Sequence, residues 1–403
     1  MSTPVVRSRR DSTSRSMAAM AREESRGHGG GRKGLPLCVW LVGAVAALVG
    51  IGIVLVYSSS SVFAARTYQD AEHFLRLQLG WAVLGLVGLW VATRTSAELL
   101  HRRAGLFLAV SLFLCAIVLI PGIGHLAGGA RRWLTVAGVG FQPSEVAKVA
   151  VVLMMAAMLA RRDSQSPEAR QSLLVPVALA QVPVLLILAE PDLGTALVIE
   201  IIVGMMVFMA GLRLRTLGLI GLAALPVFYH LVVGTPFRLQ RLLSFIDPWA
   251  YRSTIGYQVT EALISIGSGG VFGVGLGEGK HKLFFLPEAH TDFIFAILGE
   301  ELGLVGVVAL VGAFGIVIWR GLEAGRRAAT GFDAYLAVGA TMLLGVPAVF
   351  NLLVATGLLP TKGLPLPLIS YGGSNLVLTL VALGLVMRVE RDGRGVAAWE
   401  AAT

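Results

Sequence analysis

Charge is scarce in this chain. Only 14% of its 403 residues are Asp, Glu, Lys or Arg, against about 25% in globular domains, while 56% are hydrophobic and the mean hydropathy is +0.77. A core wrapped in polar surface cannot be built from that composition, so an ordinary soluble protein is excluded and a bilayer must be the solvent. Cysteine is almost missing. Cys38 and Cys115 both lie in apolar runs, which points away from a disulfide framework or a cysteine metal cluster and towards simple packing. Acids are outnumbered, 24 against 33 Lys and Arg, so an anionic partner or a membrane surface is sought, and no nucleic-acid partner is expected.

What the chain has in abundance is long apolar runs. A spanning helix needs about 20 such residues, and ten runs qualify, at roughly 37–57, 78–93, 105–121, 145–160, 174–189, 193–211, 216–234, 292–319, 334–355 and 371–388. Only Glu190, Pro191 and Asp192 separate the fifth from the sixth. The first is too long for the apolar stretch of a cleaved signal peptide and reads as a retained anchor, although Phe63, Ala64 and Ala65 weakly resemble a cleavage site. The expected fold class is therefore an all-α integral membrane protein of ten transmembrane helices over residues 37–389, with a large extracytoplasmic loop, 235–291, between the seventh and eighth. Residues 1–36 read as a disordered basic tail, with eight Lys or Arg against three acids in the first 33 residues, and 390–403 as a second tail. Starting inside, 22 of the 33 basic residues fall on the cytoplasmic side, which puts both termini there.

The exceptions carry the chemistry. Eleven cations fall outside or near the outer face; Arg66, Arg76 and Arg252 read as ordinary solvated charge, and the rest would suit an anionic ligand arriving from that side. In the large loop, Val259, Ala262, Leu263 and Ile266 recur at helical spacing opposite Gln258, Glu261 and Ser265, which predicts an amphipathic helix lying in the interface. Seven glycines in residues 267–279 follow, ending in GLGEGKHK. A nucleotide-binding loop would need Gly at Val274 and Ser or Thr at His281, so that reading fails, though clustered amides could still cradle a phosphate.

Glu288, His290 and Asp292 then cluster where the loop enters the eighth run. A partly desolvated aspartate gains basicity, which suits a general base taking a proton from a sugar hydroxyl; the alternative for Asp292 is a helix N-cap. Glu300 and Glu301 sit about 12 Å deeper at 1.5 Å per residue and read as hydrogen-bonded structural groups or a proton path, as does Glu200. Residues 128–150 bring Arg132 and then Ser144, Glu145 and Lys148, where the last two share a helix face and pair, or Glu145 steadies Lys148 for a diphosphate. Residues 357–376 hold three prolines and four glycines, an irregular stretch tolerated at membrane depth where it lines a cavity, so Lys362, Ser370, Tyr371 and Ser374 are expected to face one.

Taken in order, these segments resemble the SEDS family of bacterial cell-wall proteins (shape, elongation, division and sporulation) over residues 38–392. The motifs are ARRW at 130–133, QPSE with Lys148, EPDLGT at 190–195, the Arg238 and Arg241 stretch ending at Asp247 and Pro248, GSGG at 267–270, LPEAHTDFIFA at 286–296 and LPLISYGGS at 366–374. The resemblance implies a glycosyltransferase that polymerises lipid II on the outer face of the bacterial cytoplasmic membrane, with the essential aspartate falling on Asp292. A single inversion needs one base, by analogy with inverting glycosidases. The diphosphate leaving group needs cations or a divalent ion, Mg or Mn; Arg132, Lys148, Arg238, Lys280 and Lys362 are nominated, and Ser144, Glu145, Gln258, Glu288, His290, Ser370 and Ser374 complete the expected substrate-binding set. Lys362 in PTKG and the basic tail resemble the division branch, although Gly140 stands where some of its members carry an arginine. A class B penicillin-binding protein, other divisome proteins and a septal location are implied in the same way. The competing readings are a lipid II flippase, an elongation or sporulation member, and a non-catalytic scaffold.

Overall fold

The computed structural model describes residues 37–127, 130–136, 139–165, 173–283, 285–287 and 289–402. The basic tail lies outside them, as does Glu288. Helices dominate: α1 Leu37–Tyr68, α2 His73–Arg94 and α3 Ala97–Val118, then α4 Pro143–Asp163, α5 Leu174–Ala189, α6 Leu193–Met209 and α7 Leu214–Val233. The short α8 Pro236–Ile246 and α9 Tyr257–Ser268 follow, and α10 Ile294–Arg326, α11 Gly331–Ala355 and α12 Gly373–Ala402 close the chain. Eight of these are long and apolar enough to cross a membrane; α5 and α6 are apolar but shorter, at 16 and 17 residues.

Local chemistry sets the ends. Pro143 stands in the first turn of α4 with Glu145, while Arg161 and Arg162 occupy its last turn, so charge complements the helix dipole at both ends. Ser96 caps α3 by accepting from Leu99 N, and Asp192 caps α6 by accepting from Thr195 N at 3.1 Å. Packing then sorts the helices. About four-fifths of the apolar windows of α4, α11 and α12 are buried, so these three form the centre, whereas α2, α3 and α7 turn most of their surface outwards. A helix hydrophobic all round and buried by other helices is the middle of a bundle.

Three features depart from expectation. The external segment at 128–150, for which no strands are expected, contributes with the residues just before it to an antiparallel sheet in the order β1 Gly124–Ala127, β2 Ala130–Val136, β3 Val139–Phe141, with Leu134 opposite both Gly124 and Phe141. The α9 helix does not present Glu261 and Ser265 to water: both are buried with Val259 and Ala262, because α9 packs against α10 and α11. Third, α10 is broken. Gly303 adopts φ 63°, ψ −162°, a conformation essentially confined to glycine. The glycine-rich loop repairs the break: Val274 N and Gly275 N donate to Glu300 O and Glu301 O, while Leu304 N and Val305 N donate to Gly270 O and Val271 O. The amides of Val274 and Gly275 are thus committed to α10.

Candidate active site

A cavity of about 390 Å³ lies among α2, α4, α11, α12, β2 and β3, the start of α6 and the segment leading into α10. Asp292 lines it at the entry to α10. The first residue before that helix is Phe293, whose side chain makes no cap. On another wall Lys148 and Glu145 form a buried ion pair at 2.8 Å, and Asn375 Nδ2 donates to the second Glu145 oxygen at 3.1 Å. Removing one member of such a pair costs about 3–5 kcal/mol, because the other is left charged and uncompensated.

The rim is cationic. Arg132, carried by β2, donates to the carbonyls of Glu190 at 3.2 Å and Pro191 at 2.7 Å, groups without formal charge, so its own charge stays available to the cavity. The adjacent carboxyl of Glu190 is pushed up to about 8, first by burial and then by Asp192. Asp192 also lines the cavity, held by Thr195 Oγ1 at 2.8 Å. Arg241 of α8 donates to Thr361 O at 3.2 Å; burial holds its pKa down, and the nearby charge of Asp292 raises it. Lys362 has a buried ammonium with no hydrogen-bond partner among the described residues. Burial lowers it to about 8, Asp192 opposes that, and Arg238 and Arg241 add to it.

Of the residues expected at the site, Asp292, Arg132, Glu145 and Lys148 meet around the cavity. Lys362 is not on the cavity wall but directly precedes Gly363, which is. The other nominees are placed elsewhere. Ser370 and Ser374 are buried main-chain partners: Ser370 Oγ donates to Thr291 O at 2.5 Å and accepts from Leu366 N, and Ser374 Oγ accepts from Gln142 N at 3.0 Å. Short hydroxyls in a proline-rich stretch are used up holding that stretch together. His290 stacks on Phe63, with ring centroids 5.8 Å apart, in a cluster with Phe74 and Tyr371. The exposed Lys280 belongs to the glycine-rich loop, its amide donating to Glu300, and Gln258 sits on α9 outside the cavity wall. Arg238 turns back to Leu231 O at 2.8 Å, while Ser144 is buried outside the cavity wall. Asp192 and Arg241 were visible only as motif residues; their roles depend on which loops meet.

Glu300 and Glu301 are structural. Glu300 accepts from Lys280 N, Ser265 Oγ and the His281 ring, and Glu301 pairs with Lys282 at 2.7 Å and accepts from Ser58 Oγ. Among the described residues no three His, Cys, Asp or Glu side chains come together as a metal cluster; the carboxylates on the cavity are Asp292, Asp192 and the ion-paired Glu145. Cys115 is free and buried, as its apolar setting implies.

Comparison with known proteins places this site in context. A family profile described as Cell cycle protein, covering FtsW, RodA and SpoVE, matches residues 39–395. A protein of Alkalilimnicola ehrlichii named "Probable peptidoglycan glycosyltransferase FtsW" is 43% identical over 87% of this chain and 88% of its own length. The Legionella pneumophila protein of the same name is 40% identical over 88% and 91%. Among solved structures, a chain from a peptidoglycan synthase complex studied for the coordination of polymerization and crosslinking superposes with a TM-score of 0.72 at 34% identity, covering 87% of this chain and 97% of the other. Thermus thermophilus RodA gives 0.65 at 34%, over 87% and 96%. With one profile spanning nearly the whole described chain and relatives above 40% identity, the chain belongs to the FtsW, RodA and SpoVE family of cell cycle proteins, the SEDS family, and is FtsW-like within it.

Proposed function

We propose that this chain is a peptidoglycan glycosyltransferase of cell division that polymerises lipid II into β-1,4 glycan strands on the outer face of the cytoplasmic membrane. The observation that carries the reading is the cavity itself, which Asp292 lines together with Arg132, Asp192 and the Lys148–Glu145 pair. Asp292 takes the proton from the acceptor's 4-hydroxyl, and that oxygen attacks the anomeric carbon of the donor's MurNAc. The bond to the polyprenyl diphosphate breaks with its electron pair, and the single displacement turns the α-linked donor into a β-linked product.

Arg132, Arg241 and Lys362 supply the preorganised positive field for the departing diphosphate, and Lys148 is aligned by Glu145. No step is routed through a metal ion. Glu300 and Glu301, which could have served a transport path, are occupied by structural hydrogen bonds, which favours polymerisation over flipping. We further assign ten spans, counting the short α5 and α6, both termini to the cytoplasm, a septal location, and a class B penicillin-binding protein and divisome proteins as partners; the solved peptidoglycan synthase complex supports the partner.

The test is lipid II polymerisation by purified protein, alone and with its transpeptidase partner. Asp292→Asn keeps the volume but is a far weaker base, and it is expected to lower the rate by about 100-fold or more in assays run with and without chelator. Full activity in the Asn form would sink the assignment.

A further inference from the structure

Three consecutive carbonyls lead into α10, and each is held from elsewhere in the chain. His290 O accepts from Tyr371 N at 2.9 Å, Thr291 O from Ser370 Oγ at 2.5 Å, and Asp292 O from Asn351 Nδ2 at 2.8 Å. The first two donors belong to the loop between α11 and α12. Asn351 differs. It stands on α11, only 2% exposed, and its Nδ2 also donates to Leu364 O at 2.7 Å. Both amide hydrogens are therefore used, one on the segment that carries the general base and one on the loop that carries Lys362. The opposite amide orientation would set an oxygen against two carbonyl oxygens, so the chemistry allows only this one.

The two segments it joins are nearly in contact. A Cβ added at Gly363 would lie 2.7 Å from Asp292 Oδ2, and Leu364 also packs at Gly194, beside Asp192. A shift of the loop relative to α10 would therefore change the distances among the base, Asp192 and the cations of the rim.

We infer that Asn351 is a positioning residue for the proposed transfer: by bridging Asp292 O and Leu364 O it sets the separation between the base and the Lys362 loop. The inference rests on the polymerase reading above, since it assigns Asn351 a part in that reaction. A change of about 1 Å in a reacting group can cost on the order of 100-fold in rate.

Steady-state kinetics on full-length protein with lipid II, with its partner present, provide the test. Asn351→Leu keeps the volume and removes both donors, and Asn351→Ser is too short to reach both carbonyls. Each is expected to lower kcat by about 10–100-fold while KM changes less than about threefold, and to move the acid limb of the pH–rate profile, which reports the base. A residue that only supports the fold would reduce the yield of folded protein and scale the whole profile without moving that limb. If Asn351→Leu does not fold, the Ser form decides alone. Native-like kcat with an unmoved acid limb in a folded variant overturns the inference. A native protein that makes no glycan overturns the polymerase reading instead, so the two failures are distinct.

Discussion

At position 363 the carboxylate of Asp292, the proposed base, excludes a side chain. A Cβ there would sit 2.7 Å from Asp292 Oδ2, far inside contact distance. Gly363→Ala is expected to push the carboxylate out of line and lower kcat about 10–100-fold with the protein still folded, which lipid II polymerisation assays beside a thermal melt would check. Lys362 offers a pH test. Its ammonium is lowered from 10.5 to about 8 by burial above all, with Arg238 and Arg241 acting in the same direction against Asp192. In the free protein it loses its proton as pH rises through about 8, so KM for lipid II should climb above that pH. Lys362→Arg, charged throughout, should flatten this alkaline limb. Folding responds in the opposite sense: the folded site binds this proton more weakly than the unfolded chain, so the contribution of Lys362 to stability grows from about pH 8 to 10.5. Asp292, Glu145 and Lys148 were legible in the sequence because charges at the edges of apolar runs are costly without a purpose. Arg238 was nominated from the sequence and Arg241 was named only as part of the motif. They lie one turn apart on α8, and only the meeting of that helix with Thr361 decides which one reaches inwards.

Among the elements, α10 shows how a sequence pattern can mislead. Residues 292–319 read as one uninterrupted span, yet the helix breaks at Gly303 and the glycine-rich loop supplies the missing hydrogen bonds. The same loop carries Lys282, whose side chain is 6% exposed against a Glu301 that is fully buried. Lys282→Met should leave that carboxylate uncompensated and destabilise the protein by about 3–5 kcal/mol, whereas adding Glu301→Leu should recover most of the loss. Thermal unfolding in detergent would measure both, and equal melting temperatures for the single and double variants would contradict the pairing. The amphipathic reading of α9 failed for a related reason. Periodicity identifies two faces but not what covers each of them, and here protein covers the polar one: Ser265 bonds Glu300, and Glu261 pairs with Arg252 at 3.1 Å.

For the whole molecule, the proposed ten-span arrangement makes a claim about sides. Thr254 lies in the loop between α8 and α9, exposed, and Ala329 is exposed between α10 and α11. With the native cysteines replaced, Thr254→Cys should react with a membrane-impermeant maleimide applied to the outer face, and Ala329→Cys only after the membrane is opened. Reversed labelling would invert the topology and place Asp292 out of reach of an outer-leaflet substrate.

Hydropathy alone determined that the chain lives in a bilayer and where nearly every helix lies, because the cost of polar groups in hydrocarbon is paid residue by residue and so is written locally, while the motif resemblance singled out Asp292 among the acids. The order of its motifs was enough to identify the family. What only the tertiary structure decided was which cations face Asp292, which serines are spent on main chain, and that Asn351 ties the base to the Lys362 loop. Those outcomes depend on contacts between residues 59 and 13 positions apart in the case of Asn351, and up to 243 apart for Ser58 and Glu301, and no local pattern encodes such meetings.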